Sequence, residues 1–192
     1  MIASRVAAAR LLFCAAALCG CAAPDAPEQP AEVPKAVRLG AAAPAFRTVT
    51  LAGDTVSLGA LRGKVVLVNA WAIWCPPCIE EMPALKRLYD RYREEGLVVL
   101  GLHAGTEELG KAEAFRRAFR ISYPNSVEGW ERLDALLGAR QGIPRSALID
   151  RRGRVVRVWI GPLEPDTVLL AAVLQDRHEL RPDGTLHLRH AP

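Results

Sequence analysis

Residues 65–82 read VVLVNAWAIWCPPCIEEM, and this stretch decides which fold the sequence predicts. Its first half is a continuous apolar run, which is typical of a β-strand buried on both faces. From residue 76 onward, apolar residues recur every three or four positions, which is the pattern of a helix with one buried face. The stretch therefore predicts a buried strand, a tight turn carrying two cysteines, and a helix over 76–95 that ends at Gly96 as its C-cap.

The elements on either side complete an α/β domain over residues 39–180. A β-hairpin is predicted for 46–51 and 55–58, a second buried strand for 97–102, helices for 106–119 with Thr106 as N-cap, 130–137 and 164–180, and a hairpin for 146–149 and 155–159. A strand–helix–strand start favours parallel pairing, whereas a closing hairpin favours antiparallel pairing. The central sheet is therefore predicted to be mixed and flanked by helices, with the first hairpin as an N-terminal extension.

The composition excludes several classes of protein. The 192 residues are 51% hydrophobic and 24% charged, which suits one globular domain with an extension and excludes a disordered, collagen-like or multi-spanning membrane chain. The net charge is +4, but Lys and Arg are scattered among acidic residues and form no aromatic-interleaved stripe. No nucleic-acid partner is predicted.

The first 20 residues have the character of a bacterial signal peptide. A short apolar core follows two arginines, and it is too short to span a bilayer. Its end, Leu18-Cys19-Gly20-Cys21, resembles the lipobox of lipoproteins, which implies cleavage before Cys21 and a lipid on its sulfur. Cleavage would remove Cys14, Cys19 and both arginines, and so lower the formal charge from +4 to +2. An ordinary signal peptide cut elsewhere is the alternative.

The segments outside the domain have different compositions. Residues 21–38 contain a proline at every third or fourth position, which favours polyproline II at about 3.1 Å per residue and predicts a tether. Residues 181–192 have no sustained hydrophobic period and are predicted to trail from the domain.

The Cys-x-x-Cys pair carries the chemistry that the sequence predicts. At a strand–helix junction, unsatisfied N–H groups and the helix dipole stabilise a thiolate on the first cysteine, so Cys75 is the predicted nucleophile. Cys78 faces inward and is predicted to attack the mixed disulfide and release the partner. The alternatives are a structural disulfide, whose loop is too short to stabilise the fold much, and half of a zinc site, which would need two more ligands. Beyond this redox-active pair, no cofactor or metal is predicted.

Two prolines alter this helix start. Neither Pro76 nor Pro77 has an N–H, so the amides left to face the Cys75 sulfur are mainly those of Cys78 and Ile79. Fewer donors should stabilise the thiolate less and favour reducing behaviour. A Cys75 pKa below about 5 would contradict this expectation.

Several separated motifs resemble the TlpA/ResA branch of the thioredoxin superfamily over about residues 43–174. They are residues 61–69, 74–78, 80–85, 142–144 and 148–153. The resemblance implies a thioredoxin fold and a membrane-tethered, extracytoplasmic thiol–disulfide oxidoreductase, commonly a reductant of cytochrome c haem-site or copper-site cysteines. It also implies protein disulfide substrates, a membrane electron donor, and attachment to the bacterial cell envelope through the lipid anchor.

The resemblance assigns a substrate surface. It makes Pro144 a cis-proline against the Cys pair, which leaves the Ile143 backbone free to pair with an extended substrate. Trp74, Pro76 and Pro77 are predicted to complete that surface. An ordinary turn proline is the alternative for Pro144.

The resemblance also assigns a proton acceptor. Glu81 lies three residues after Cys78, where burial would raise its pKa and allow it to take the Cys78 proton. Adjacent Glu80 is predicted to face solvent, and a solvated Glu81 is the alternative. Asn69 stands where thioredoxin carries a buried acid, which moves the role of proton acceptor to Glu81.

Three further residues near the motif have competing interpretations. The Arg145 guanidinium either lies beside the Cys pair or is an ordinary surface group. Trp71 is predicted to lie in the core, although a substrate platform is the alternative. His103 ends a buried strand, where a lone histidine is more often structural than metal-binding.

Two other classes share this fold. A peroxiredoxin needs a hydroxyl residue three before its cysteine, where this chain has Ala72. A Sco-like copper module has Cys-x-x-x-Cys and a distant histidine, and here the cysteines are one residue closer, although His103 keeps this alternative open.

Overall fold

The computed structural model describes residues 37–105, 109–138, 142–163, 167–181 and 185–188. The predicted signal peptide, the lipidation site Cys21, most of the tether and the N-cap Thr106 lie outside the described residues. Within these ranges, no helix is long and apolar enough to cross a membrane.

Thirteen helices and strands are formed by the described residues. In chain order they are β1 (Arg47–Val49), β2 (Thr55–Ser57), β3 (Val65–Trp71), α1 (Pro76–Tyr92), β4 (Leu97–Ala104), α2 (Leu109–Ala118), β5 (Asn125–Glu128), α3 (Trp130–Leu137), β6 (Arg145–Ile149), β7 (Val155–Ile160), α4 (Thr167–Leu174), β8 (His178–Leu180) and β9 (Leu186–Leu188).

The central sheet has five strands in the order β5-β4-β3-β6-β7. Strand β4 is parallel to β3 and β5, whereas β6 is antiparallel to both β3 and β7. The predicted mixed sheet is therefore confirmed, as is the separate β1-β2 hairpin. Strand β5 was not predicted.

Strand β3 lies at the centre of the sheet, and all seven of its residues are buried. Its alternate side chains enter two different cores. Val65, Leu67 and Trp71 pack with α1 and α4, whereas Val66, Val68 and Ala70 pack with α3. This two-sided burial accounts for the continuous apolar run in the sequence.

The C-terminal part of the domain differs from its prediction. Helix α4 ends at Leu174 rather than 180, and Asp176 has a left-handed φ of +53° that stops the helix. Residues 178–180 instead pair with 186–188 as an antiparallel hairpin. Leu186 and Leu188 pack against the core that contains Val65, Leu67 and Trp71, so the chain after residue 180 does not simply trail from the domain.

Helix α1 is also shorter than predicted. It ends at Tyr92 with Arg93 as its C-cap, and Gly96 lies three residues further along with a φ of +96°. Gly96 lies in the turn that leads into β4, where a left-handed backbone conformation favours glycine.

Candidate active site

Cys75 and Cys78 are joined by a disulfide at the N-terminus of α1, with an S–S distance of 2.01 Å. Cys75 is the N-cap residue, so it follows β3 and precedes the first helical turn. Cys75 is 4% exposed, whereas Cys78 is fully buried. A partner can therefore approach the first cysteine more readily than the second.

No side-chain capping hydrogen bond is made at the start of α1. The prolines occupy its first two positions, and Cys75 makes no side-chain capping hydrogen bond. The N–H groups of Cys78 and Ile79 both donate to the Cys75 carbonyl oxygen, at 3.1 and 3.2 Å. These are the two amides expected to face the Cys75 sulfur, and in this disulfide state they bind the Cys75 carbonyl oxygen.

The peptide bond between Ile143 and Pro144 is cis, as the resemblance predicted. Pro144 is buried, and its carbonyl oxygen accepts a hydrogen bond from the Gly161 N–H at 2.9 Å. Ile143 is half-buried and packs against the core that contains both cysteines. The next residue, Arg145, faces Ala70 across the sheet, so this loop lies at the end of β3 that leads to the Cys pair.

Glu81 is 6% exposed and lies one helical turn after Cys78 on the same face of α1. Its Oε1 accepts a hydrogen bond from Asn69 Nδ2 at 2.7 Å, and its Oε2 accepts one from the Leu163 N–H at 2.6 Å. Burial raises the pKa of Glu81 above its ordinary value, and the two hydrogen bonds offset only part of that effect. The expected burial and raised pKa are both present, whereas Glu80 is exposed.

Two polar residues near Glu81 were not found from the sequence. Asn69 Nδ2 also donates to Ser146 Oγ at 3.0 Å, and Ser146 is fully buried. The hydroxyl of Tyr123 is buried as well, and desolvation, together with the charge of Glu81, raises its pKa. The only local sequence signal that could have identified Ser146 is its position two residues after the cis-proline.

Buried side chains hold the segment that leads into Cys75. Trp71 donates from Nε1 to Asn125 Oδ1 at 3.0 Å and meets His103 edge-on at 4.8 Å between ring centroids. His103 Nε2 accepts a hydrogen bond from the Ile73 N–H at 3.2 Å. Trp71 and His103 are therefore structural, as predicted, whereas Trp74 is 56% exposed.

Arg145 fits neither interpretation offered by the sequence. It is only 1% exposed, and its guanidinium binds Asp134 Oδ1 at 2.5 Å and the Gly138 carbonyl oxygen at 2.7 Å. Its charge is thus paired with α3, and it is not a surface group. Among the described residues, no group of three or more His, Cys, Asp or Glu side chains is placed to hold a metal ion.

Glu81→Gln is expected to gain stability relative to the unaltered oxidised protein as the pH rises. A carboxyl whose pKa is raised by folding favours the folded state most when protonated, and that contribution is lost as the pH rises from about 4.5 through the folded pKa. A neutral amide avoids this loss. Urea unfolding from pH 4 to pH 8 should show a difference in midpoint between variant and parent that moves in favour of the variant as the pH rises. The matched control, Glu80→Gln on the exposed neighbour, should show no such trend, and a pH-independent difference for Glu81→Gln would contradict the expectation.

Comparison with known proteins identifies the family. Residues 38–173 match the Redoxin family. The thiol–disulfide oxidoreductase ResA of Geobacillus kaustophilus is 33% identical over 135 residues, which are 69% of this chain and 75% of that relative. ResA of Bacillus thuringiensis is 32% identical over 125 residues, 65% of this chain and 71% of the relative.

A solved structure has the same fold. The thiol:disulfide interchange protein of the thioredoxin family from Chlorobium tepidum is 30% identical and superposes with a TM-score of 0.63 over 69% of this chain and 95% of that chain. The resemblance inferred from the motifs is confirmed. The chain belongs to the Redoxin family, and it is a thioredoxin-fold thiol–disulfide oxidoreductase.

Proposed function

We propose that this oxidoreductase works as a reductant of protein disulfides in the bacterial cell envelope. The observation that carries this proposal is the first turn of α1, where two positions lack an N–H and the next two amides are engaged by a backbone carbonyl. A thiolate at Cys75 is then stabilised less, which disfavours the reduced protein relative to its disulfide and makes it a better electron donor.

The reaction proceeds in two exchanges. The Cys75 thiolate attacks one sulfur of the partner disulfide, and the other partner sulfur leaves as a thiolate that takes up a proton. Cys78 then gives its proton to the Glu81 carboxylate and attacks the Cys75 sulfur. The mixed disulfide breaks, the second partner thiolate leaves, and the Cys75–Cys78 disulfide forms. Two electrons have passed to the partner, and a dithiol donor at the membrane must return them. No cofactor beyond the cysteine pair is needed.

Exposed groups around the pair supply the partner surface. Trp74 and Pro76 are exposed, and Pro77 and Ile143 are half-buried. We assign these residues, with Pro144, to binding an extended segment of the partner through apolar contact and backbone pairing at Ile143. Suitable partners are proteins whose cysteines must stay reduced outside the cytoplasm, such as those of cytochrome c maturation or copper sites. The Leu18–Cys21 motif supports attachment through a lipid on Cys21.

The reduction potential of the Cys75–Cys78 couple tests the direction of electron flow. Equilibration of the protein with glutathione or dithiothreitol buffers should give a value near or below about −250 mV, in the range of reducing thioredoxins. A value near about −120 mV, characteristic of a strong oxidant, would overturn the proposal.

Pro77→Ala is expected to lower the Cys75 pKa by about one unit. The N-cap side chain accepts from the amide at the second or third helical position, and this variant restores the second. A hydrogen bond to a charged group contributes about 1.5–3 kcal/mol, which corresponds to about one pKa unit or more. Ultraviolet titration of the reduced thiol measures the shift, and the potential should rise by about 30 mV for each tenfold change in equilibrium constant.

Pro76→Ala is the matched control for this experiment. It restores an amide at the first helical position, which does not point at the N-cap side chain. It should therefore leave the Cys75 pKa close to that of the parent protein. Equal shifts in both variants, or none in Pro77→Ala, would contradict the argument.

A further inference from the structure

A buried polar group joins three elements next to the redox helix. Asn69 on β3 donates from Nδ2 to Glu81 on α1 at 2.7 Å and to Ser146 on β6 at 3.0 Å. Asn69 and Ser146 face each other in the antiparallel register of β3 and β6, and both are fully buried. A single carboxamide therefore connects the Glu81 carboxyl to the strand that follows the cis-proline.

The two polar atoms of the Asn69 amide differ in their hydrogen bonding. Nδ2 makes both hydrogen bonds, whereas the buried Oδ1 of Asn69 has no hydrogen-bond partner among the described residues. An ionised carboxylate only accepts hydrogen bonds, so it requires the Nδ2 end. A protonated Glu81 would instead present an O–H that needs an acceptor. A half-turn of the amide would place Oδ1 between Glu81 and Ser146, whose hydroxyl can donate as well as accept.

We propose that Asn69 is a positioning residue that keeps the Glu81 carboxyl hydrogen-bonded in both its ionised and its protonated form by exchanging the Nδ2 and Oδ1 ends of its amide. The proposal rests on the proposed function, in which Glu81 takes the proton of Cys78. In that step the Cys78 S–H bond breaks, a Glu81 O–H bond forms, and the sulfur electron pair makes the new disulfide as the partner thiolate leaves. The amide turns as the carboxylate becomes an acid.

Two titratable groups bear on Glu81. The Cys78 thiol, which is free once the disulfide is reduced, lies one helical turn before it on α1, and the charge of Glu81 acts on the Tyr123 hydroxyl, whose raised pKa keeps it protonated in the working range of pH. Neither is hydrogen-bonded to the Glu81 carboxyl among the described residues, because the Tyr123 hydroxyl has no hydrogen-bond partner there and Cys78 is held in the disulfide. Asn69 is bonded to that carboxyl, and Ser146 is the hydroxyl that can follow the reversal of its amide.

The test compares Asn69→Leu with Ser146→Ala in the full chain. In the orientation seen here, the Nδ2 bond taken alone lowers the pKa of Glu81, and the turned amide would favour the protonated acid to a similar extent. Asn69→Leu removes both interactions, so the proton affinity of Glu81, read from the ¹³C carboxyl resonance in the reduced protein, should change less than about twofold. The rate at which Cys78 resolves a glutathione mixed disulfide should fall about tenfold, because the carboxyl loses its anchor. Ser146→Ala removes the hydroxyl but keeps the bond to Glu81, and its rate should fall less than about threefold. The tenfold scale is that of one hydrogen bond to a charged group.

Four results would overturn the proposal. A roughly tenfold rise in Glu81 proton affinity in Asn69→Leu would make Asn69 a fixed donor to the carboxylate. An unchanged resolution rate, or equal slowing in both variants, would leave it a merely structural residue. In the unaltered protein, the ¹⁵N side-chain resonance of Asn69 should shift with the same pH midpoint as the Glu81 carboxyl, and a constant resonance would also overturn the proposal. Normal resolution by Glu81→Gln, in contrast, would refute the proposed role of Glu81 itself.

Discussion

Cys78→Ser is expected to leave the protein covalently joined to its partner after a single attack. Cys75 keeps its place as the N-cap residue and can still open a partner disulfide. Serine cannot resolve the product, because its hydroxyl is not ionised at neutral pH. An external thiol must then replace an intramolecular attack of high effective molarity, so release should slow by about 10³-fold or more. Mass spectrometry under non-reducing conditions would detect the persistent adduct.

Cys75→Ser is the matched comparison. Its remaining active-site thiol, Cys78, is fully buried, whereas Cys75 is 4% exposed. The variant should form no adduct and should show no exchange activity. If the adduct accumulates in Cys75→Ser and not in Cys78→Ser, the order of attack assigned to the two cysteines is reversed.

Gly101→Ala is expected to destabilise the folded protein strongly. Gly101 lies on β4, where an added Cβ would lie 2.0 Å from Asn125 Oδ1 and 3.1 Å from Trp71 Nε1. Asn125 cannot move away freely, because it accepts from Trp71 and donates to the Tyr123 carbonyl oxygen. Displacing it would break two buried hydrogen bonds, at a cost of about 2–4 kcal/mol.

Chemical denaturation of the oxidised protein measures this cost. Gly59→Ala is the control, because nothing lies within 4 Å of a Cβ at that position. The control should change the free energy of unfolding by less than about 0.5 kcal/mol. A similar small change in Gly101→Ala would mean that Asn125 can be displaced without cost and that the Trp71 bond contributes little.

The strand–turn–helix unit was predictable because its signals are local. The run 65–71 is buried on both faces, and the helix begins at the prolines that follow Cys75. Strand β5 escaped prediction because its first two residues, Asn125 and Ser126, are polar and yet buried. The Asn125 side chain bonds to Trp71, 54 residues away, and to Tyr123, and the Ser126 hydroxyl bonds to Glu128. Polar partners therefore replace the usual apolar pattern.

Within the site, too, some residues could be predicted from the local sequence and others could not. The cysteine pair, the cis-proline and Glu81 carry motif signals within the chain, and the structure gives them the expected disulfide, peptide geometry and burial. Ser146 lies 77 residues from Asn69, and nothing in either local sequence indicates that they meet. Arg145 was misjudged because its partner Asp134 lies on another element, and a buried arginine needs such a partner to be tolerated.

The hydrogen bond from the Leu163 N–H to Glu81 bears on which substitutions at residue 163 preserve the site. The donor is a main-chain group, and every residue except proline supplies it. Substitutions at residue 163 can therefore alter packing while leaving the hydrogen bond to the Glu81 carboxyl intact. Neither alanine scanning nor the comparison of related sequences would reveal this contact. Only a proline at this position removes the donor, so a main-chain N–H, rather than a side chain, fixes this oxygen of the Glu81 carboxyl.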